Sequence, residues 1–396
     1  MKFLGGILLI IGTSIGGGML ALPLATASIG FVESSLLLVA CWFVMTAGAF
    51  LILEVNLWLP TNSNLISMAK ATLGKGGQAV AWVTCLLLLY SLLAAYIAGG
   101  SDFLKSLLSL VHVTLPNWSV TLLFTTILGG VVFMGIHAVD HTNRILIFVK
   151  FGALILLMGF MFPQVSLSYL SGGESKYLMA GITVSLTSFG FATIVPSMRA
   201  YFHNDVKKLR LAILMGSLIP LVCYIVWNFA VMGVIPRTGD QGLVAILHSK
   251  QSTSDFVNVL SALLHRDTIT NFARTFTSVC LLTSFLGVAL SLSDFLADGL
   301  HIEKVGMQKL FILVLTFVPP VIVVLVYPGA FITALAYAGI YCVILLILLP
   351  TLMVWFGRYR KNIAKGYQVA GGKFLLVFLM IVSVFIIGQS IISVIN

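Results

Sequence analysis

Three consecutive glycines interrupt the first hydrophobic segment of the chain, in Gly12-Thr13-Ser14-Ile15-Gly16-Gly17-Gly18-Met19, and Pro23 follows them. The uncharged run around them, from Phe3 to Val32, is long enough to cross a bilayer as a helix. Each glycine in a helix interior costs about 1 kcal/mol relative to alanine, so the sequence predicts a helix that breaks in mid-membrane. Hydrocarbon offers no partners to the freed backbone groups, and such a break survives only inside protein or beside a cavity. Broken spanning helices are the best sequence pointer to the substrate site of a transporter. A second break is written in Thr187-Ser188-Phe189-Gly190-Phe191, with Pro196 after it. Two breaks of similar design, one in each half, predict an internal repeat.

The chain has 396 residues, 60% of them hydrophobic and 9% charged. No soluble fold needs that much apolar surface, and a polytopic membrane protein is expected. The net charge of +10 is therefore read as basic residues retained in cytoplasmic loops, not as a nucleic-acid footprint. Cys41, Cys85, Cys223, Cys280 and Cys342 are scattered through apolar stretches without a CxxC or a Cys/His cluster, which argues against a metal site or a disulfide framework. The seven histidines sit near loops and span ends with no metal-ligand spacing. No phosphate-cradling P-loop motif occurs, so the energy source is an ion gradient and no cofactor is expected. Lys2, the apolar stretch and Ala25-Thr26-Ala27 imitate a signal peptide. The stretch is too long for one, and cleavage would discard the glycine break, so none is expected.

Charges punctuate the spans. Eleven helices are predicted near 3–30, 34–58, 78–103, 119–137, 144–162, 176–198, 209–234, 268–297, 309–326, 329–354 and 374–395. The uncharged run from Leu310 to Gly357 is about twice the length a bilayer needs at 1.5 Å per residue, and Tyr327-Pro328-Gly329 is the natural turn. With the N-terminus inside, only Lys105, Lys176, Arg237, Lys250, Arg266 and Arg274 of the 22 lysines and arginines fall outside, which supports that orientation. The breaks then fall in the first and sixth spans, and a repeat of five helices inverts the second half. The expected units are residues 1–162, 163–354, and a loop with the last helix at 355–396. The longest loop, roughly 235–267, is polar and outside; short helices or a cover over the entrance are expected there.

The strings GTSIGGGMLALPLA, LLLLYSLLAAYIAGG, TSFGFATIVPS and LLTSFLGVALSLSDFLAD, with Gly366-Tyr367 and Gly371-Gly372 before the last helix, resemble the hydroxy/aromatic amino acid permease family, in particular its tyrosine-specific transport proteins. The resemblance runs nearly end to end; the ordered set is specific, each string alone is not. That family is similar to the amino acid–polyamine–organocation superfamily. The resemblance implies an all-α protein with a LeuT-type 5+5 inverted repeat and an eleventh transmembrane helix. It also implies proton-driven import of tyrosine, tryptophan or a related amino acid across a bacterial inner membrane, with the N-terminus cytoplasmic and the C-terminus periplasmic.

An amino acid zwitterion needs partners for a carboxylate and an ammonium, and a broken helix supplies both without a charged side chain. The N–H groups of Gly17, Gly18 and Met19, at the positive end of the outer half-helix, suit the carboxylate. Carbonyls near Gly16, at Thr13 and Ser14, and at Ser188 in the sixth span suit the ammonium. Glycines also permit close helix packing, but a triple glycine with a second break favours the site reading. Phe189 and Phe191, flanking Gly190, are candidate walls for an aromatic side chain. In LeuT-type folds a tyrosine of the third span touches the carboxylate, and the sequence leaves Tyr90 and Tyr96 equal. Tyr337 is a candidate for closing the outer path.

Ionisable residues within a membrane are functional by default. Lys150, in the fifth span, resembles a superfamily lysine that occupies the place of a sodium ion between the first and eighth spans. Thr283 and Ser284 match the hydroxyl pair that binds sodium in sodium-coupled relatives. A lysine there fills the cation site and brings its own proton; the bland alternative is a lysine snorkelling to the inner surface. Glu54 is a second proton candidate or a partner of the site machinery. Asp294 is read as a gate or salt-bridge residue.

Three function classes compete. The first is a proton symporter importing an aromatic amino acid, L-tyrosine ahead of tryptophan or a broad aromatic range, with sodium coupling as its variant. An intramembrane enzyme would need a catalytic pair within the spans, and Glu54 has no evident carboxylate partner. A channel or a sensor with a transporter fold is the third; a sensor is expected to carry a signalling domain, and no extramembrane stretch here is large enough to fold alone. The oligomeric state is not legible.

Overall fold

Glycine, proline and asparagine set the ends of the helices. The computed structural model describes residues 2–395 apart from 62, 175–176 and 265–266. Lys176 and Arg266, two of the charges used for orientation, lie outside the described residues. No strand occurs among the described residues. Among the described residues ten helices are long and apolar enough to cross a membrane, and the pair Phe3–Ser14 and Gly17–Ile29, bent by 51°, makes an eleventh. They are α1 (Lys2–Ser14 and Gly17–Ala25), α2 (Phe31–Trp58), α3 (Leu65–Leu110), α4 (Asn117–Met134), α5 (Ile136–Met161) and α6 (Leu178–Ser188 and Val195–Tyr201). There follow α7 (Val206–Val234), α8 (Asp267–Leu300), α9 (Gly306–Val326), α10 (Phe331–Val343 and Leu349–Tyr359) and α11 (Gly372–Ile395). The chain is a multi-pass membrane protein.

Two helix starts differ most from the sequence expectation. Helix α3 starts at Leu65, not near 78. Asn64 accepts from Ser67 N at 2.9 Å while Ser67 Oγ accepts from Asn64 N at 2.9 Å, a reciprocal cap that nucleates a turn before the membrane. Gly74, at φ 79°, then kinks the chain into the span. Helix α5 starts at Ile136, not near 144, and Gly135, at φ 103°, alone separates it from α4. Asp140 and Arg144, which look like loop charges, pair one turn apart at 2.8 Å on that extension. In the long loop the helices Leu243–Leu247 and Ser252–Leu264 form. The second is held on α3 by Asp102, which accepts from Thr253 N at 3.1 Å, Ser254 N at 3.0 Å and Ser254 Oγ at 2.8 Å. Its negative charge sits at the positive end of that helix.

The first half of α1 packs on α7 and its second half on the first half of α6. Helix α3 lies against α8 and α10, α5 against α8, and α2 against α7. A π-helical turn, Ile344–Leu348, interrupts α10, and a Cβ at Gly48 of α2 would strike the Leu346 carbonyl there. That contact is the close backbone approach that small residues permit between membrane helices.

Glu54 is fully buried on α2. Its Oε1 accepts from Arg358 Nε at 2.6 Å, and its Oε2 from Arg358 Nη2 at 2.5 Å and Val369 N at 2.7 Å. This clamp ties α2 to the end of α10 and to the segment before α11. Close by on α2, Arg199 from the second half of α6 donates to the carbonyls of Asn56 and, at 2.8 Å, Leu59. Removing one partner of a buried ion pair costs about 3–5 kcal/mol because the other charge is stranded. Glu54→Ala is expected to lower the melting temperature of the purified protein sharply while leaving the ion dependence of residual uptake unchanged. An unchanged melting temperature with lost proton dependence would instead make Glu54 the proton carrier.

Candidate functional site

A helix that stops in mid-membrane must account for each backbone group it frees. At the break in α1 most are accounted for by side chains from three other spans. Ser14 O accepts from the Tyr224 hydroxyl of α7 at 2.6 Å. Ile15 O accepts from Lys150 Nζ of α5 at 2.6 Å. Gly17 N donates to Ser284 Oγ of α8 at 2.9 Å, and Met19 N to Gly16 O at 3.1 Å. Of the three N–H groups expected to face a carboxylate, two are therefore engaged within the protein in this conformation.

The two breaks face each other. A Cβ built on Gly18 would lie 2.9 Å from Ser188 Oγ and 3.4 Å from Ser188 Cα. The Tyr224 hydroxyl that reaches Ser14 O also lies within hydrogen-bond distance of Ser188 O, at 2.8 Å. Gly16 lies against Ser284, where a Cβ would overlap the hydroxyl. Gly17 lies against the ring of Tyr96, with a Cβ 2.5 Å from Cε1. Gly190 is looser, its nearest neighbour being Cys342 Sγ on α10 at 3.8 Å.

Lys150 is 1% exposed. It points into the protein rather than snorkelling, and it meets α1 at the break. Ser284 meets the same break, whereas the Thr283 hydroxyl turns back to Val279 O at 2.8 Å and Cys280 O at 3.2 Å on its own helix. Thr13 behaves likewise, donating to Ile10 O and Leu9 O at 2.9 and 3.0 Å. Ser14 Oγ is buried without a protein partner.

The structure separates the two tyrosines of α3. Tyr90 donates to Leu315 O of α9 at 2.7 Å, away from the breaks. Tyr96 is buried against Gly17, with Ser284 beside its hydroxyl. Tyr96→Phe is expected to raise the KM for uptake by about tenfold, the scale of one lost polar contact to a substrate. Tyr90→Phe is expected to leave it unchanged; equal effects would remove Tyr96 from the site. Phe189 and Phe191 are both buried, and Phe189 meets Tyr224 edge-on at 5.2 Å between centroids. Tyr337 is 38% exposed on α10. Asp294 pairs with Lys304. A cavity of about 310 Å³ lies beyond Tyr96, toward the Lys105 end of α3, lined by Ser101, Asp102, Trp118 and Lys250 among others.

Sequence reasoning passed over Tyr224. The signal available was a polar face on an apolar helix: Ser217, Tyr224 and Asn228 recur at helical spacing, and all three are fully buried. It also passed over Thr187, whose hydroxyl donates to Leu335 O of α10 at 2.9 Å and joins α6 to α10 beside the second break.

An ammonium, a phenol and a hydroxyl thus converge on the break in α1 from three separate helices. The tryptophan/tyrosine permease family model matches residues 1–390. Among the relatives, the tyrosine-specific transport system 1 of Haemophilus influenzae is 34% identical over 97% of this chain and 95% of its own length. A tryptophan-specific transport protein of the same organism is 32% identical over 96% of this chain and 93% of its own length. The glutamine transporter 2 of Aliivibrio fischeri is 32% identical over 95% of each chain.

Proposed function

The chain belongs to the tryptophan/tyrosine permease family and is a transport protein, not an enzyme, and from that premise we propose that it imports an aromatic amino acid, L-tyrosine first and tryptophan second, by proton symport across a bacterial cytoplasmic membrane. The relatives named for tyrosine and tryptophan support the substrate class. The observation that supports the coupling is the Lys150 amine, buried at the break in α1 at 2.6 Å from the Ile15 carbonyl.

The architecture is a LeuT-type repeat of residues 1–162 and 163–354, with 355–396 appended. What supports it is the exchange of packing under a shift of five helices. Helix α3 lies on α10 as α8 lies on α5; α3 lies on α4 as α8 lies on α9; α4 lies on α8 as α9 lies on α3. Helices α1 and α6, the broken pair, are partners under the same shift, with the N-terminus cytoplasmic and the C-terminus periplasmic.

In the cycle, the substrate carboxylate meets the N-terminus of the second half of α1 at Gly17, Gly18 and Met19, displacing the internal bonds there. The ammonium meets the carbonyls of Ser14 and Ser188. Tyr96 closes on the carboxylate, the side chain lies toward Phe189 and Phe191, Tyr337 closes the outer path, and Gly16 and Gly190 keep the two breaks open. Lys150 carries the transported proton; Ser284, with Thr283 beside it, holds Gly17 until the carboxylate takes its place. An amine can release a proton that a guanidinium keeps.

The test is uptake of labelled tyrosine into proteoliposomes with competition by every proteinogenic amino acid. An inward proton gradient without sodium is expected to drive accumulation, tryptophan to compete, and phenylalanine to compete poorly if a polar group receives the phenol. Equal uptake of leucine and tyrosine sinks the aromatic assignment, and strict sodium dependence sinks the coupling. The relative named for glutamine supports a second reading, which prevails if glutamine displaces tyrosine.

A further inference from the structure

One hydroxyl serves both breaks. Tyr224 is fully buried on α7, and its oxygen lies 2.6 Å from Ser14 O and 2.8 Å from Ser188 O. A phenol has a single hydrogen to donate. At these separations that hydrogen serves one carbonyl fully at a time, and the other oxygen pair is left short of a donor. The ring is not free to turn away: Phe189 meets it edge-on at 5.2 Å, and Phe189 itself adjoins Ser188 in the second break. The neighbouring Ile15 carbonyl already has its own cation in Lys150. Around the two breaks, Ser14 O and Ser188 O are thus the acceptors held close together and served by one proton between them.

We propose that Tyr224 is a substrate-positioning residue. Its hydroxyl fixes the spacing of the Ser14 and Ser188 carbonyls and so builds the subsite for the amino group of the cargo. Given the reading of the breaks as the amino acid site, an incoming ammonium supplies the donor that the pair lacks. Two of its N–H groups go to the carbonyls, and the third can go to the phenol oxygen, which keeps a lone pair while its hydrogen stays on either carbonyl. Without the hydroxyl the half-helices of α1 and α6 lose their common tie, and the ammonium has to order the two carbonyls itself. The loss then falls on binding and not on the rate of cycling.

The experiment is counterflow of labelled tyrosine in proteoliposomes with Tyr224→Phe, which keeps the ring and its contact with Phe189. The expected result is a KM raised about tenfold or more with the maximal rate within about twofold of the original protein. An unchanged KM overturns the proposal, and so does a fall in maximal rate at unchanged KM, which would assign Tyr224 to conformational cycling. Should the phenylalanine variant fail to elute as a monodisperse species, a fluorinated tyrosine placed at position 224 alone keeps the bridge with a stronger donor and a weaker acceptor. KM is then expected to shift measurably, and identical kinetics overturn the proposal. Failure of the unaltered protein to take up any aromatic amino acid would sink the functional reading instead, and the two failures are read from different samples.

Discussion

Lys150→Ala is expected to abolish accumulation of tyrosine against its gradient, and Lys150→Arg to abolish it as well. The amine lies 2.6 Å from the Ile15 carbonyl and is buried among α1, α5 and α8. Alanine removes the donor and strands a buried carbonyl, a cost of about 1–3 kcal/mol. That is enough to weaken the arrangement of α1 at its break without unfolding a protein of this size. Substrate exchange can survive the change, because the lysine meets the backbone at Ile15 and not the half-helix end proposed to take the carboxylate. Arginine restores a positive charge but keeps its proton at any working pH, and its planar fork does not fit a site shaped for a compact ammonium. The measurement is the ratio of internal to external labelled tyrosine under an imposed proton gradient, with counterflow as the control for binding. A structural lysine would tolerate arginine better than alanine. Full gradient-driven uptake by Lys150→Arg would therefore remove the lysine as proton carrier.

How much of this was legible beforehand depends on the range of the signal. The breaks were legible because glycine and proline act locally: the helix ends at Ser14 and resumes at Gly17, inside the triple glycine. Lys150 was legible as an ion in an apolar stretch, since a membrane charges heavily for one. Its partner was not, because Ile15 offers only a carbonyl and carbonyls have no sequence signature. The same reason hid Tyr224, one of 11 tyrosines, whose two acceptors are both backbone. Glu54 stood out as a charge, but its guanidinium partner is 304 residues away and lies among basic residues that read as an inner loop. The early starts of α3 and α5 were masked because charges and glycines follow their first turns: Lys70, Gly74 and Lys75 in one, Asp140 and Arg144 in the other. Loop chemistry and a capped, solvent-facing helix turn look alike until the Asn64–Ser67 bonds and the Asp140–Arg144 pair are seen.

Gly17→Val is expected to abolish uptake while the protein still inserts, and Gly12→Ala, five residues earlier in the same run, is expected to leave uptake intact. The difference is one of space. A Cβ at Gly17 would lie 2.5 Å from Cε1 and 2.9 Å from Cδ1 of Tyr96, too close for any real contact, and valine adds two methyls beyond it. The Tyr96 ring is itself buried and cannot swing aside without displacing its neighbours. The added carbon would also occupy the approach to the first N–H groups of the outer half-helix, where a carboxylate is to bind. At Gly12 nothing lies within 4 Å of the added atom, and alanine favours the helix there by about 1 kcal/mol. Equilibrium binding of labelled tyrosine to the purified variants separates the two effects from expression. Loss of binding in Gly17→Val with normal binding in Gly12→Ala locates the carboxylate at the half-helix end beside Tyr96. Normal affinity in Gly17→Val would move it elsewhere, because no amino acid carboxylate can share that space with a valine side chain.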